Sequence, residues 1–152
     1  MKRLGIVLLS LIAAPLLAKE RLGAYQSWAA FKDAEVSRCY AIGSPDESSG
    51  TGGYVSVGFW PKRGLSHQVT VRLSRPRSSN AGITLSVGGR RFQLTADGNT
   101  GRAKDRAMDL AIIAAMRSSQ SMSVQSSGII DAYALRGAAS AIDAAALGCA
   151  RK

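Results

Sequence analysis

With 152 residues the chain fits one domain built on one core, and no internal repeat or second domain is visible in it. Twenty Lys and Arg against ten Asp and Glu give a formal charge of +10. A single His and two Cys lying 110 positions apart exclude the spaced ligand cluster of a zinc site.

Residues 1–18 read as a cleavable secretory signal peptide. Lys2 and Arg3 precede an apolar stretch from Leu4 to Ala14, then come Pro15, Leu16, Leu17 and the small Ala18 ahead of Lys19 and Glu20. Cleavage is expected after Ala18, because the apolar stretch falls well short of the roughly 20 residues that span a bilayer. The sequence thus predicts one β-rich domain over 19–152, periplasmic or secreted, with no transmembrane span in the mature chain. No Cys stands directly after the apolar stretch to accept a lipid.

Two short opening strands are expected at Trp28 to Phe31 and Val36 to Ile42, separated by a charged turn at Lys32 to Glu35. Ser44 to Gly53 has the composition of a flexible loop. Alternation then becomes clean: Val55, Val57 and Phe59 share one face of a strand that ends at Trp60 against Pro61, and Val69, Val71 and Leu73 repeat the pattern. A hairpin is expected from Ile83 to Leu94. Gly88 and Gly89 suit the positive φ angles of a two-residue turn, which would set Val87 opposite Arg90, Leu85 opposite Phe92 and Ile83 opposite Leu94. That register puts the apolar residues of both strands on one face, with Arg90 at the tip.

A helix is expected from about Lys104 to Ser118, with Asp105 as N-cap or first-turn acid and Met108, Ala111, Ile112, Ala115 and Met116 forming one apolar stripe. Two Met at helical spacing read as core packing, not as a soft-metal site. Short strands follow at Met122 to Gln125 and Ile130 to Leu135, then a closing Ala-rich helix from near Gly137 to Cys149. On this helix Ala138, Ile142, Ala145 and Cys149 fall on one stripe, so Cys149 faces the core. An even number of cysteines in an exported chain favours a disulfide. Cys39 to Cys149 is the one pairing within the monomer, and it is well placed if the helix crosses the opening strands. Such a bridge closes a loop worth about 4–5 kcal/mol at most in the chain-entropy model.

Strands at short spacing with tight turns favour a mainly β fold, an antiparallel β-sandwich or barrel-like domain with two helices, one of them C-terminal, covering an end or an edge. A parallel α/β fold would need helices between successive strands, and none is expected before residue 104.

Catalytic chemistry finds little support. His67, the only histidine, has no nucleophile-elbow sequence beside it and reads as a surface residue. Asp33 with Glu35, and Asp46 with Glu47, sit in polar turns where acids are solvated. The Gly50 to Gly53 loop lacks the Lys and Ser/Thr ending of a phosphate-binding loop. No catalytic residue, metal ligand or cofactor is therefore expected, and the chain is read as a non-enzyme. What stands out is a basic segment: Lys62, Arg63, Arg72, Arg75, Arg77, Arg90, Arg91, Arg102, Lys104 and Arg106, accompanied only by Asp97 and Asp105, a local net charge of +8. The rest of the chain after residue 18 is balanced. Gathered on one surface, these residues would attract phosphates or carboxylates of envelope glycans, lipid headgroups or a protein partner, with nucleic acid disfavoured; spread over several faces, they would only solubilise the protein.

The early Trp28 followed by Cys39 in a β-rich stretch, the strands of sandwich type and the segment Tyr133-Ala134-Leu135-Arg136-Gly137-Ala138-Ala139-Ser140-Ala141 together resemble the invasion-associated locus B family of exported bacterial proteins. In that family a strand ending in a Ser-Leu-x-Gly-type motif leads into a closing helix containing Ala. Leu135, Gly137 and Ala141 match, whereas Ala134 replaces the Ser, Ala138 stands where an aromatic residue is common, and the second cysteine pair of many members is missing. The chain is thus similar to a divergent member. The resemblance implies a periplasmic or surface β-sandwich without known enzymatic chemistry. The alternative reading is a periplasmic inhibitor or accessory subunit that recognises a protein through an exposed strand or loop such as Ser44 to Gly53.

Overall fold

A computed structural model describes residues 19–78 and 80–150. The expected signal peptide, residues 1–18, lies outside the described residues.

The described chain is mainly antiparallel β with two helices. In order it forms β1 (Glu20–Tyr25), β2 (Trp28–Asp33), β3 (Arg38–Gly43), β4 (Tyr54–Trp60), β5 (Leu65–Arg72), β6 (Ile83–Val87), β7 (Arg90–Asp97), β8 (Thr100–Arg102), α1 (Arg106–Arg117), β9 (Ser121–Ser126), β10 (Ile129–Ala134) and α2 (Ala138–Ala150). Ten strands make one open sheet in the order β1-β2-β3-β4-β5-β8-β7-β6-β9-β10. Two of them, β1 and β8, escaped the sequence reading. The Gly-containing β1 carries no apolar alternation, and β8 is only three residues long.

The predicted hairpin forms in the predicted register, with Ile83 opposite Leu94, Leu85 opposite Phe92 and Val87 opposite Arg90. Gly88 and Gly89 take φ of 58° and 72°, the left-handed values that such a turn demands. Strand β7 then changes partner: Arg90–Leu94 pair with β6, while Thr95–Asp97 pair with β8. It thereby passes the sheet from its front half (β1–β5) to its back half (β6, β7, β9, β10). Val55, Val57, Val69 and Val71 from the front and Ile83, Leu85, Phe92, Leu94 and Val124 from the back meet in a single buried cluster.

The sheet curves until its ends touch. The Trp28 indole on β2 donates to the Ala134 carbonyl on β10 at 2.9 Å. Gly137, between β10 and α2, lies so close to the β1–β2 turn that a Cβ there would fall 1.8 Å from the Tyr25 carbonyl oxygen, and its φ is 87°. Only glycine satisfies both demands.

The Ser44–Gly53 segment is not a flexible loop. It holds a 3-10 turn, Glu47–Ser49, that fastens the free edge of β10: Asp46 N donates to Ala132 O at 2.7 Å, and Ala132 N donates to Ser49 Oγ at 3.0 Å. Asp131, fully buried on β10, accepts from Ser74 N at 2.8 Å, and the Ser74 hydroxyl lies against both the other Asp131 oxygen and the Ser49 carbonyl. This satisfies polar groups that burial would otherwise penalise, and it blunts an edge strand that could pair with another chain.

Helix α1 opens at Asp105, whose side chain accepts from Met108 N at 2.8 Å as the expected N-cap. It buries Ile112, Ile113, Ala115 and Met116. Helix α1 packs mainly on β5, and α2 crosses the opening strands, lying on the inward face of β1–β4 rather than over an end or an edge of the sheet. Its Ala138, Ala141, Ile142 and Ala145 are buried, and small side chains permit this close approach of helix to sheet. The sequence could not choose between edge and face, because the same Ala-rich stripe serves both. Cys39 and Cys149 form the expected disulfide, with Cα atoms 5.7 Å apart. Arg117 of α1 pairs with Asp143 of α2 at 2.6 Å.

Candidate functional site

Alternation along β2, β3 and β4 sends one set of side chains into the core and the other outward, and the outward set is unusual. Register places Arg21, Phe31, Tyr40 and Gly58 in one row across the front half. The missing side chain at Gly58 leaves space that the Trp60 indole occupies; a Cβ there would lie 3.2 Å from Trp60 Nε1. Arg38 emerges one pleat from Tyr40 on the same face.

The result is a continuous run of planar groups. Phe31 stacks on Tyr40 with ring centres 5.6 Å apart. The Arg38 guanidinium lies 4.2 Å from the Tyr40 ring centre and 5.0 Å from that of Trp60, and Arg63 lies 5.2 Å from Trp60. Each such contact contributes about 0.5–1 kcal/mol where water has access. Neither guanidinium forms an ion pair among the described residues. Asp33 is opposite Arg38 in the register but pairs with Lys19 at 3.8 Å, and Arg38 Nε is buried without a hydrogen-bond partner. Lys19, Arg38, Tyr40 and Tyr54 also border a shallow cleft on this face.

The predicted basic segment does not gather in one place. Lys62 and Arg63 occupy the turn Pro61–Arg63 between β4 and β5, at the end of the stack. Arg72 and Arg102 point outward from the middle of the sheet, on diagonal positions of β5 and β8. Arg75 is exposed just beyond β5. Arg77 is structural: its Nη1 donates to Ala81 O at 2.7 Å and its backbone N to Asn99 Oδ1 at 3.1 Å, fastening the β5–β6 connection to the β7–β8 turn. Arg90 and Arg91 stand at the β6–β7 tip, with Arg90 4.8 Å from the Phe92 ring centre. Lys104 and Arg106 flank the start of α1, and Arg106 donates to Ser66 Oγ at 3.0 Å.

Phe31, Arg38, Tyr40 and Trp60 were missed because charge density was read along the chain, whereas the site is assembled across strands. The alternation Arg38, Tyr40, Ile42 against Cys39 and Ala41 carried the signal.

The back half offers a different surface. A polar groove there is bordered by Asp46, Ser86, Arg91, Gln120 and Ser123. It has hydroxyls and amides but no stacked rings.

His67 is half-buried, not a plain surface residue. It takes φ of 58° in β5 and packs edge-on against Phe59 with ring centres 4.8 Å apart. Burial, reinforced by Arg106 and Arg117, lowers its pKa below 6.5. Its Nδ1 lies 3.1 Å from Ser66 Oγ, yet no carboxylate orients the ring as nucleophilic catalysis would require. Asp109 uses its carboxylate to accept from Val69 N at 2.8 Å, beside the part of β5 that β8 is too short to cover, and burial raises its pKa. Among the described residues no group of three or more His, Cys, Asp or Glu could hold a metal ion, and no helix is long and apolar enough to cross a membrane.

No protein-family model matches this chain, and no curated protein or solved structure matches it either.

Proposed function

We propose that this is an exported, non-enzymatic periplasmic or surface protein, a divergent relative of the invasion-associated locus B family, that holds an anionic envelope glycan on the outward face of β2–β4. The observation that carries the reading is the stack Phe31–Tyr40–Arg38–Trp60–Arg63, with no acid among the described residues paired to either guanidinium. A guanidinium held over a ring has already lost much of its freedom, so less entropy is lost when it meets an oxyanion. Its N–H groups form the fork geometry that suits a carboxylate, sulfate or phosphate. Lys19, Arg21, Arg72 and Arg102 extend the positive face beyond the stack. A polymer carrying repeated charges matches this better than a single ion does.

Nucleic acid fits less well, because the rings that would stack on bases are already covered by guanidinium or by each other. Recognition of a protein through Ser44–Gly53 is weakened by the bonds that fix this segment to β10. A disulfide and the lack of a membrane-crossing helix among the described residues are compatible with work beyond the cytoplasm.

Immobilised alginate, a polyuronate, is a direct probe. The protein is expected to be retained at low salt and released well below 1 M, where the Debye length has fallen to about 3 Å. Arg38→Gln combined with Trp60→Ala should abolish retention. Retention that persists at 1 M salt, or that the double variant leaves unchanged, overturns the reading.

A further inference from the structure

On the opposite side of the front half, a second pocket opens where α2 ends over the sheet. It has a volume of about 330 Å³ and is lined by Lys32, Ala34, Arg38, Pro61, Lys62 and Cys149, among others. That size falls within the range of small-molecule sites. Register turns Lys32 to the inward side that α2 covers, whereas Asp33 and Arg38, opposite each other, face outward, so the pocket wraps the ends of β2 and β3. It is distinct from the aromatic stack but meets it at Arg38 and at the Pro61–Arg63 turn.

Its lining combines two chemistries. The body is apolar, made by Ala34, Pro61, Gly148, Cys149 and the aliphatic stems of the lysines. The rim is cationic. Lys32, Arg38 and Lys62 border it, and the one acid present, Asp33, pairs with Lys19 instead. The C-terminal end of α2 adds a negative partial charge of roughly half an elementary unit, which three full cations outweigh. Arg38 Nε, buried and without a partner, is a donor still lacking an acceptor.

From this combination we infer that the pocket binds a small amphipathic carboxylate, with the apolar tail against Ala34, Pro61 and the disulfide and the carboxylate among Lys32, Arg38 and Lys62. The site differs from the glycan surface on the outward face, with which it shares Arg38. It also has a chemical consequence: an occupant rests against Cys149, one end of the bridge, and should shield the bridge from attack by an external thiolate.

Octanoate is the probe, with octylamine and octanol as chain-matched controls of opposite and no charge. Calorimetric titration of the disulfide-bonded protein should show octanoate binding at least tenfold more tightly than either control. Lys32→Glu should weaken octanoate at least tenfold, Lys32→Gln by less, and Lys32→Arg should retain it. Saturating octanoate should also slow reduction of the bridge by dithiothreitol several-fold in the unaltered protein and not in Lys32→Glu. Lys32 does not belong to the aromatic stack, so undiminished alginate retention by Lys32→Glu certifies its fold and separates the two sites. Equal affinity for octanoate and octylamine, full octanoate affinity in Lys32→Glu, or a reduction rate indifferent to octanoate would each overturn the inference.

Discussion

Strands β1–β5 and strands β6, β7, β9 and β10 line the same core with the same period-two inward alternation of apolar side chains, yet they differ in what they turn outward and in how they are fastened. The front half presents Phe31, Tyr40, Trp60 and three arginines, Arg21, Arg38 and Arg72, whereas the back half presents Thr84, Ser86, Arg91, Gln93, Ser123 and Gln125, with no aromatic ring among them. The front is clasped to α2 by a disulfide, and the back is held at its edge by a hydrogen bond that Ser49 accepts and one that Ser74 donates. One alternating pattern thus builds two surfaces. The core accounts for stability in both halves, and the outward residues distinguish the half proposed to bind.

The largest effect comes from cutting the front clasp. Replacing both cysteines by serine should lower stability by up to about 4–5 kcal/mol, the loop-closure figure for a separation of 110 residues. Urea unfolding of the oxidised protein and the variant checks this, and a loss below about 1 kcal/mol would mean that the back-half bonds dominate.

Cutting the back fastening should cost less. Asp131→Ala leaves the Ser74 amide without its acceptor, at about 1–3 kcal/mol for an unsatisfied buried group, while the Ser74 hydroxyl keeps the Ser49 carbonyl. Hydrogen exchange should show the loss concentrated at β10 and the Glu47–Ser49 turn. Uniform loss over β1–β5 would contradict the division into halves.

The surfaces themselves are separated by binding. Arg38→Gln alone should weaken alginate binding about tenfold, equivalent to about 1.4 kcal/mol, while Thr84→Ala or Ser123→Ala should leave it within twofold. Comparable losses from both sides would show that no face is privileged.

The smallest effect is a pH dependence located at His67. Because burial and the neighbouring arginines lower its folded pKa below the ordinary 6.5, the unfolded chain takes up the proton more readily. The contribution of the neutral ring is fully present above pH 6.5 and is lost as pH falls through the folded value. Melting temperature should therefore drop between pH 7 and pH 5, and His67→Gln should shallow that drop. An unchanged slope would assign the acid sensitivity to the carboxylates.

The amino-acid sequence determined what neighbours along the chain control. Alternation in Val55–Phe59 and Ile83–Leu94, turn chemistry at Gly88–Gly89 and the helical stripes at Ile112 and Ile142 depend on backbone geometry that a few adjacent residues set. Even the disulfide followed from a parity of two and a stripe that turned Cys149 inward. Tertiary structure decided everything that joins distant positions: the partner exchange of β7, the placing of α2 on the sheet face, the fastening of Ser44–Gly53 to β10, and the dispersal of the basic residues of segment 62–106. The same holds for Phe31, Tyr40, Arg38 and Trp60. They are brought together by cross-strand register, which fixes rows perpendicular to the chain, and no linear count of charges or rings contains that direction.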